Sequence, residues 1–442
     1  MMTNRPEVQV IGAGLAGAEA AWQLLKHEIP VHMIEMRPEY MTPAHKGAGF
    51  SELVCSNSLK AEHVTNASGL LKAEMDKLGS LILDCAHRAR VPAGAALAVD
   101  RERLSYEVET KLRSHPLFSF ECARVDEMPD SGYAIVATGP LTDNALAQSI
   151  IAKTGGESLH FFDAAAPIVT AESIDMQKAF RQSRHGHGDD YINCPMNEQQ
   201  YNAFCDALES AALAPLHDFE LKKVFEGCLA VEILCGRGRQ TLSFGPMKPV
   251  GLIDPHTNRM PYAVVQLRQD NEQGTLYNMV GFQTRLKWGE QRRVFSMIPG
   301  LEHAEFARYG VMHQNIFLNS PTLLGRNYAY NKNQGIRFAG QLTGVEGYME
   351  STASGLVAGL NLARMILGEP EYDFGDYTLI GALERYVRTK NPDFQPMNAN
   401  FGLLEPLAQR IRNKQQRYEK LAERSLNHLD TIINHTEDTN GQ

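Results

Sequence analysis

A chain of 442 residues with 43% hydrophobic and 21% charged residues is long enough for two or three domains and has a globular composition, which excludes disordered and fibrous classes. Its formal charge of −9 argues against a surface coated throughout with nucleic-acid-binding charge but leaves room for one basic patch. Seven cysteines form no Cys-x-x-Cys pair, so a zinc knuckle or disulfide framework is not expected; no apolar run approaches the roughly 20 residues of a spanning helix, and the expectation is a soluble, cytoplasmic protein without metal or membrane.

In chain order, Val8–Ile11 reads as a short apolar strand, Gly12-Ala13-Gly14-Leu15-Ala16-Gly17 as a turn, and Ala18 to Lys26 as an alanine-rich helix. A second strand, Val31 to Ile34, ends in Glu35, 18 residues after Gly17. Strand, glycine turn, helix and terminal acid together spell the opening of a Rossmann-type dinucleotide unit. Gly12 allows the tight turn, Gly14 lets backbone approach a pyrophosphate, and Gly17 permits close helix-to-strand packing, while the helix N-terminus adds partial positive charge. Glu35 is placed to meet an adenosine ribose. The whole turn, Ala13, Leu15 and Ala16 included, is assigned to FAD together with Glu35 and Arg37.

Cys55 follows in Glu52 to Lys60, flanked by Ser56-Asn57-Ser58, and is expected in a loop at a helix start, where the helix end favours a thiolate. Tyr133 to Pro140 reads as a buried strand ending in Thr138-Gly139, a place where flavoproteins of the two-dinucleotide-binding type bring backbone back to the cofactor. Far downstream, Ile336 to Gln341 is another such strand, bringing Gly340 and Gln341, and is followed by a small-residue helix from Ser351 to Met365 whose N-terminus would face the flavin ring. These features imply an α/β fold in which the N- and C-terminal parts form one Rossmann-type FAD-binding domain around an inserted α+β domain. The expected division is 1–175, 176–324 and 325–442.

The middle of the chain has a different texture. Between His217 and Gly300 there are 11 Lys or Arg and 8 Asp or Glu, a net of +3 inside a chain of −9. Arg237, Arg239, Lys248, Arg285, Lys287, Arg292 and Arg293 are interleaved with Tyr262, Phe282 and Trp288, a mixture that suits RNA phosphate contacts and base stacking as well as a solvated charged face. Cys228, after Phe225-Glu226-Gly227, and Cys235, before Gly236-Arg237, both have the setting of a nucleophile, and residue chemistry alone does not choose between them. Cys85, Cys122, Cys194 and Cys205 read as structural. A basic helix from Gln409 to Arg424 and a polar, frayed tail from His435 close the chain.

Long stretches of this sequence are specific to one family. Glu35-Met36-Arg37-Pro38, Glu52 to Leu59, Asn193-Cys194-Pro195-Met196, Phe225-Glu226-Gly227-Cys228, Gly245 to Leu252, Lys287-Trp288-Gly289-Glu290-Gln291 and Ala339 to Tyr348 resemble the folate- and FAD-dependent tRNA (uracil-5-)-methyltransferases, the TrmFO family. The resemblance implies that a one-carbon unit passes from methylenetetrahydrofolate to C5 of the T-loop uridine of tRNA, with NAD(P)H supplying electrons and no obligate protein partner. It places the nucleophile that activates uracil at Cys228 and sets Cys55 near the flavin, where it handles the one-carbon unit or moves a proton. A branch resembling this family methylates large-subunit ribosomal RNA, so rRNA stands beside tRNA as a target; a flavin oxidoreductase of a small molecule and an RNA-binding protein that keeps FAD only for structure are the further alternatives.

Overall fold

The computed structural model describes residues 5–42, 44–155, 158–164, 166–186, 188–214, 229–310, 312–392 and 394–440. Cys228, with the rest of 215–228, lies outside the described residues.

The first sheet begins where the sequence places it, at the strand Val8–Ile11, whose Val8 and Val10 have no exposure. This strand pairs in parallel with Val31–Glu35 on one side and Tyr133–Val136 on the other. Phe118–Cys122 extends the sheet beyond Val31–Glu35. Beyond Tyr133–Val136 comes Asn333–Phe338, in parallel, and then the antiparallel edge strand Ala329–Tyr330. Segments some two hundred residues apart thus complete one six-stranded sheet. Register aligns their carboxyl ends: Ile11 lies beside both Ile34 and Val136, and Val136 beside Phe338. A parallel α/β sheet offers its ligand crevice at these ends.

Two helices close the sheet's face. The helix Leu15–Lys26 is longer by three residues at its start than the sequence suggests, and the small-residue helix runs Tyr348–Leu367. They cross so closely that a Cβ on Gly355 would stand 2.1 Å from the Ala16 carbonyl oxygen, and one on Gly359 2.4 Å from that of Ala20. Glycine four residues apart on one helix face therefore lets two backbones touch, and the sheet-facing apolar side chains Leu24, Leu25, Leu356 and Val357 are left with almost no exposure.

The second sheet is antiparallel in all its pairings. Its order is Phe180–Arg181, Tyr191–Met196, Ala263–Gln269, Leu276–Met279, Ile168–Thr170 and Phe306–Arg308. The helices Glu198–Glu209, Val231–Gly236 and Trp288–Phe295 contribute buried residues to the core on it, which includes Phe204, Cys235, Phe282 and Phe295. Asn197 caps the first of these helices in a reciprocal capping box with Gln200, satisfying two of its free donors. An antiparallel ladder, Ser158–Ala164 with Met312–Leu318, carries the chain out to this region and back.

The C-terminal helix begins at Lys414, not Gln409, and is helical through Asn440, where a frayed tail is expected from sequence. It docks through Leu421, Ala422 and Leu429, which join the first core, and through a buried polar link. The buried Glu74 carboxylate accepts the Leu379 and Ile380 N–H groups at 2.8 and 2.9 Å, and the Ser425 hydroxyl of the C-terminal helix donates to the same carboxylate. Burial raises the Glu74 pKa to about 7 against the lowering effect of these donors.

Candidate active site

The carboxyl ends of the parallel strands deliver backbone to one place. A cleft of about 770 Å³, open solvent at its mouth included, is lined by Gly12, Gly14, Leu15 and Ala16 from the first turn and by Glu35 and Arg37 from the end of the second strand. Thr138 and Gly139 border it after the third, Gly340 and Gln341 after the fourth. Ten of the twelve residues expected to hold FAD therefore meet here. The other two stand behind them: the Ala13 N–H donates to Glu35 Oε2 at 2.9 Å, and a Cβ on Gly17 would sit 1.9 Å from the Gly12 carbonyl oxygen. An adjoining pocket shares Gly12, Glu35, Met36 and Thr138 with the cleft.

The walls fit such a ligand. Gly14 is the N-cap of its helix in extended geometry, φ −72°, and a Cβ added there would meet nothing within 4 Å; the open space is on the ligand side. Tyr348 and Ser351 bring the N-terminus of a second helix to the same cleft, so two sets of free N–H groups and two positive helix ends face it. Gly340, with φ +79°, turns the chain into this wall, and its N–H donates to Ser354 Oγ at 2.7 Å.

Glu35 is 7% exposed and more engaged than the motif alone suggests. Its Oε1 accepts both the Arg37 N–H and Arg37 Nε at 3.1 Å. Burial pushes its pKa up, but the Arg37 charge and hydrogen bonds and the Ala13 N–H outweigh that and hold it below the usual carboxylate range. Arg37 Nη1 also donates to Glu52 Oε2 at 3.2 Å, and Glu52 accepts the Lys46 and Gly47 N–H groups at 2.9 and 3.0 Å. The loop between the second strand and Cys55 is thus folded onto the rim of the cleft.

Cys55 is not at a helix start. It lies in a loop before the strand Ser58–Ala61, because its polar neighbours bind other parts of the chain instead of capping a helix. Asn57 Nδ2 donates to the carbonyls of Val99 and Gln269 at 3.0 and 2.9 Å. Arg268 Nε donates to Asn57 Oδ1 at 3.0 Å and its Nη2 to Ser56 Oγ at 2.7 Å. The Tyr348 hydroxyl accepts the N–H groups of Cys55 and Ser56 at 2.8 and 3.1 Å, and burial, with the nearby Cys55 thiol, raises the Tyr348 pKa.

Three guanidinium groups, those of Arg101, Arg268 and Arg308, interact electrostatically with that thiol. Arg101 is held by Asp270 at 3.1 Å and by the Leu53 carbonyl. Arg308 donates to the Ala44 carbonyl at 3.3 Å, has no ion pair among the described residues, and is pushed down in pKa by burial and by Arg101. Sequence reasoning passed over all three. The available signal was Arg268 itself, the one charge inside the Ala263–Gln269 strand and only 7% exposed.

The comparisons with known proteins agree with this geometry. The family described as "Glucose inhibited division protein A" matches residues 7–370. The methylenetetrahydrofolate–tRNA-(uracil-5-)-methyltransferase TrmFO of Desulforudis audaxviator is 57% identical over 96% of this chain and 97% of its own. That of Brevibacillus brevis is 54% identical over 98% of this chain and 99% of its own. The chain belongs to the TrmFO branch of that family. Among solved structures, Aquifex aeolicus GidA superimposes with a TM-score of 0.67 at 15% identity, over 99% of this chain and 77% of that one, which is a likeness of fold.

The two TrmFO cysteines singled out from sequence have different fates here. Cys55 is partly exposed and follows Val54, which lines the cleft. Cys228 falls in 215–228, outside the described residues, but its flanks are fixed: the Ala214 N–H donates to the Arg285 carbonyl at 2.8 Å and the Val231 N–H to the Gln283 carbonyl at 2.7 Å. Cys235 is 1% exposed in the second core, and its contact with Cys205 together with burial raises its pKa; an enclosed thiol of that kind is a poor nucleophile. Cys85, Cys194 and Cys205 are buried as expected, and Cys122 Sγ contacts the Arg37 carbonyl at 3.2 Å.

The basic surface read from sequence is divided by the structure. Phe282 has no exposure and packs on Phe204 and Phe295, so it belongs to the core. Arg239 is paired with Asp206 and Arg293 with Glu290. Lys287 and Arg292 are exposed without an ion pair among the described residues, and Trp288 beside them is 62% exposed. Among the described residues no helix is long and apolar enough to cross a membrane, and no His, Cys, Asp or Glu cluster could hold a metal.

Proposed function

We propose that this chain is a methyltransferase that uses FAD and methylenetetrahydrofolate to convert the T-loop uridine of tRNA to ribothymidine, with NAD(P)H as reductant, in the cytoplasm. The observation that carries the reading is near full-length identity of 57% with an enzyme named for this reaction, in a chain whose dinucleotide cleft is lined by Val54, next to Cys55 in the chain. FAD bound in the cleft supplies the two-electron chemistry by which the one-carbon unit reaches the methyl level. The overall balance is uridine, methylenetetrahydrofolate, NAD(P)H and a proton giving 5-methyluridine, tetrahydrofolate and NAD(P)⁺.

The chain's own groups divide the work. The Gly12–Gly17 turn, with the helix ends at Gly14 and Gly347, holds the pyrophosphate and flavin, while Glu35 meets the adenosine ribose. Cys228 adds as a thiolate to C6 of the uracil, which makes C5 nucleophilic; when the new C5–C bond has formed, the C5 proton leaves and the S–C6 bond breaks. Cys55, held by the Tyr348 hydroxyl and interacting electrostatically with Arg101, Arg268 and Arg308, handles the one-carbon unit or a proton beside the cleft. We further place the junctions of the inserted domain along the Ser158–Ala164 and Met312–Leu318 ladder, near the boundaries at 175 and 324.

The test is product analysis. Purified protein with NAD(P)H, methylenetetrahydrofolate and undermodified tRNA should form 5-methyluridine in the T-loop. Methylation of large-subunit rRNA with none in tRNA would move the target, and turnover of NAD(P)H without any RNA product would replace the reading by a small-molecule oxidoreductase.

A further inference from the structure

The most solvent-exposed aromatic stack among the described residues begins at Trp288, and its position is informative. Its ring lies parallel on Tyr309, with centroids 5.6 Å apart and planes at 14°. Tyr309 in turn lies on Phe306 at 5.2 Å and 17°, and Phe306 rests at 6.4 Å on Phe295 of the core. The indole is therefore held flat from below, yet it is 62% exposed, and no described ring or cation covers its other face. A large planar side chain braced in this way and left open is a platform for another flat ring.

Both ends of the stack lead to the reacting groups. Trp288 follows the segment Gln283–Lys287, to which the two flanks of the Cys228 segment are hydrogen-bonded, and Lys287 itself donates its N–H to the Ala212 carbonyl at 3.1 Å. Tyr309 follows Arg308, one of the three arginines that interact with Cys55. The charges beside the ring are cationic: Lys287 and Arg292 are exposed and have no ion pair among the described residues, while Arg293 is neutralised by Glu290 at 2.6 Å. Flat aromatic surface flanked by exposed cations is the chemistry that takes an unstacked nucleobase and its phosphate.

We propose that Trp288, braced by Tyr309, is a stacking platform for an unpaired nucleobase of the RNA substrate next to the uridine being methylated, with Lys287 and Arg292 meeting the adjoining phosphates. The proposal rests on the reading of the chain as an RNA methyltransferase and adds where the RNA is gripped. An enzyme acting on a base inside a folded loop must draw that base out of its stack, and a ring that accepts the neighbouring base replaces the stacking lost.

The experiment uses the FAD-loaded full chain and a T-arm stem-loop RNA. The chain contains two tryptophans, Trp22 and Trp288, so a Trp22→Phe background reports on Trp288 alone, and RNA should quench its emission. Base-to-aromatic stacking contributes about 1–3 kcal/mol; Trp288→Ala should accordingly weaken RNA binding and raise the KM for RNA by roughly 5- to 150-fold, with flavin content, the KM for methylenetetrahydrofolate and RNA-independent NAD(P)H oxidation unchanged. Trp288→Phe should recover most of the loss. Unaltered RNA affinity in Trp288→Ala overturns the proposal, as does a rise confined to the folate KM, which would make the ring a pterin platform. If the unsubstituted enzyme binds T-arm RNA and methylates it while Trp288→Ala does so equally well, only this proposal falls; if it does neither, the functional reading falls with it.

Discussion

The two halves of the site are built from different materials. On the parallel sheet, the cleft wall is largely backbone: a glycine turn, two helix N-termini and the ends of four aligned strands, with Glu35 itself held partly by the Ala13 N–H. On the side facing the antiparallel sheet, side chains do the work: Arg268 reaching Ser56 and Asn57, Arg101 paired with Asp270, Arg308 at the Ala44 carbonyl, and Trp288 on Tyr309. A backbone-built site tolerates change in most side chains but fails where a Cβ intrudes. A side-chain-built site should fail one residue at a time, and in proportion to the charge or surface removed.

The largest expected effect separates chemistry from architecture. Cys228→Ala and Cys55→Ala should each lower 5-methyluridine formation by at least roughly 10³-fold, as removal of a nucleophile does elsewhere, while FAD absorbance and thermal stability stay near those of the unsubstituted chain. Cys228→Ala should also lose the covalent adduct with a 5-fluorouracil-containing T-arm RNA; an adduct that persists would assign the nucleophile to another thiol. Next comes the cleft wall. Gly14→Val projects into open ligand space from a backbone geometry valine adopts readily, so the protein should fold and purify colourless, without flavin. Gly355→Val meets the Ala16 backbone instead and should cost about 1–3 kcal/mol of stability or more. If Gly14→Val retains stoichiometric FAD, the cleft is not where the pyrophosphate lies.

On the side-chain half, Arg101→Ala leaves Asp270, 4% exposed at its side chain, without its cation. Breaking a buried pair costs about 3–5 kcal/mol, and a denaturation midpoint unchanged by the substitution would show that the link between the two sheets does not depend on it. The smallest effect returns to the first half, where Glu74 is held by backbone donors. A carboxylic acid whose folded pKa is raised to about 7 keeps a proton that the unfolded chain releases. Its contribution is complete below the unfolded value of about 4.5 and is lost as pH rises through about 7, a slope summing to about 3 kcal/mol. Chemical denaturation between pH 5 and 8 should show stability falling with pH, and Glu74→Gln should flatten that dependence.

The same contrast explains what could be read in the sequence. Gly12 to Gly17 and Glu35 are legible because strand, turn and helix are neighbours in the chain and each glycine answers to a local need. The strand Asn333–Phe338 is legible as a buried strand, but its seat beside Tyr133–Val136 needs the register that only the folded sheet supplies. Cys55 is misplaced at a helix start because Ser56-Asn57-Ser58 has the composition of a cap; its hydrogen bonds go instead to Arg268 and Gln269, more than two hundred residues away. Phe282 and Trp288 look alike in a basic stretch, yet one is core and the other 62% exposed. Arg101, Arg268 and Arg308 each stand alone in sequence, and only the meeting of the two sheets makes them a cluster.

The central claim is that carbon from methylenetetrahydrofolate passes through this cleft to uridine C5. It is tested most directly by incubating the FAD-loaded protein with NAD(P)H, undermodified tRNA and methylenetetrahydrofolate carrying ¹³C in its methylene group, then measuring the nucleosides by mass spectrometry. The account predicts one labelled 5-methyluridine per tRNA, at the T-loop, and none with Cys228→Ala. An unlabelled methyl group, or labelled product that forms equally well with Cys228→Ala, would contradict it.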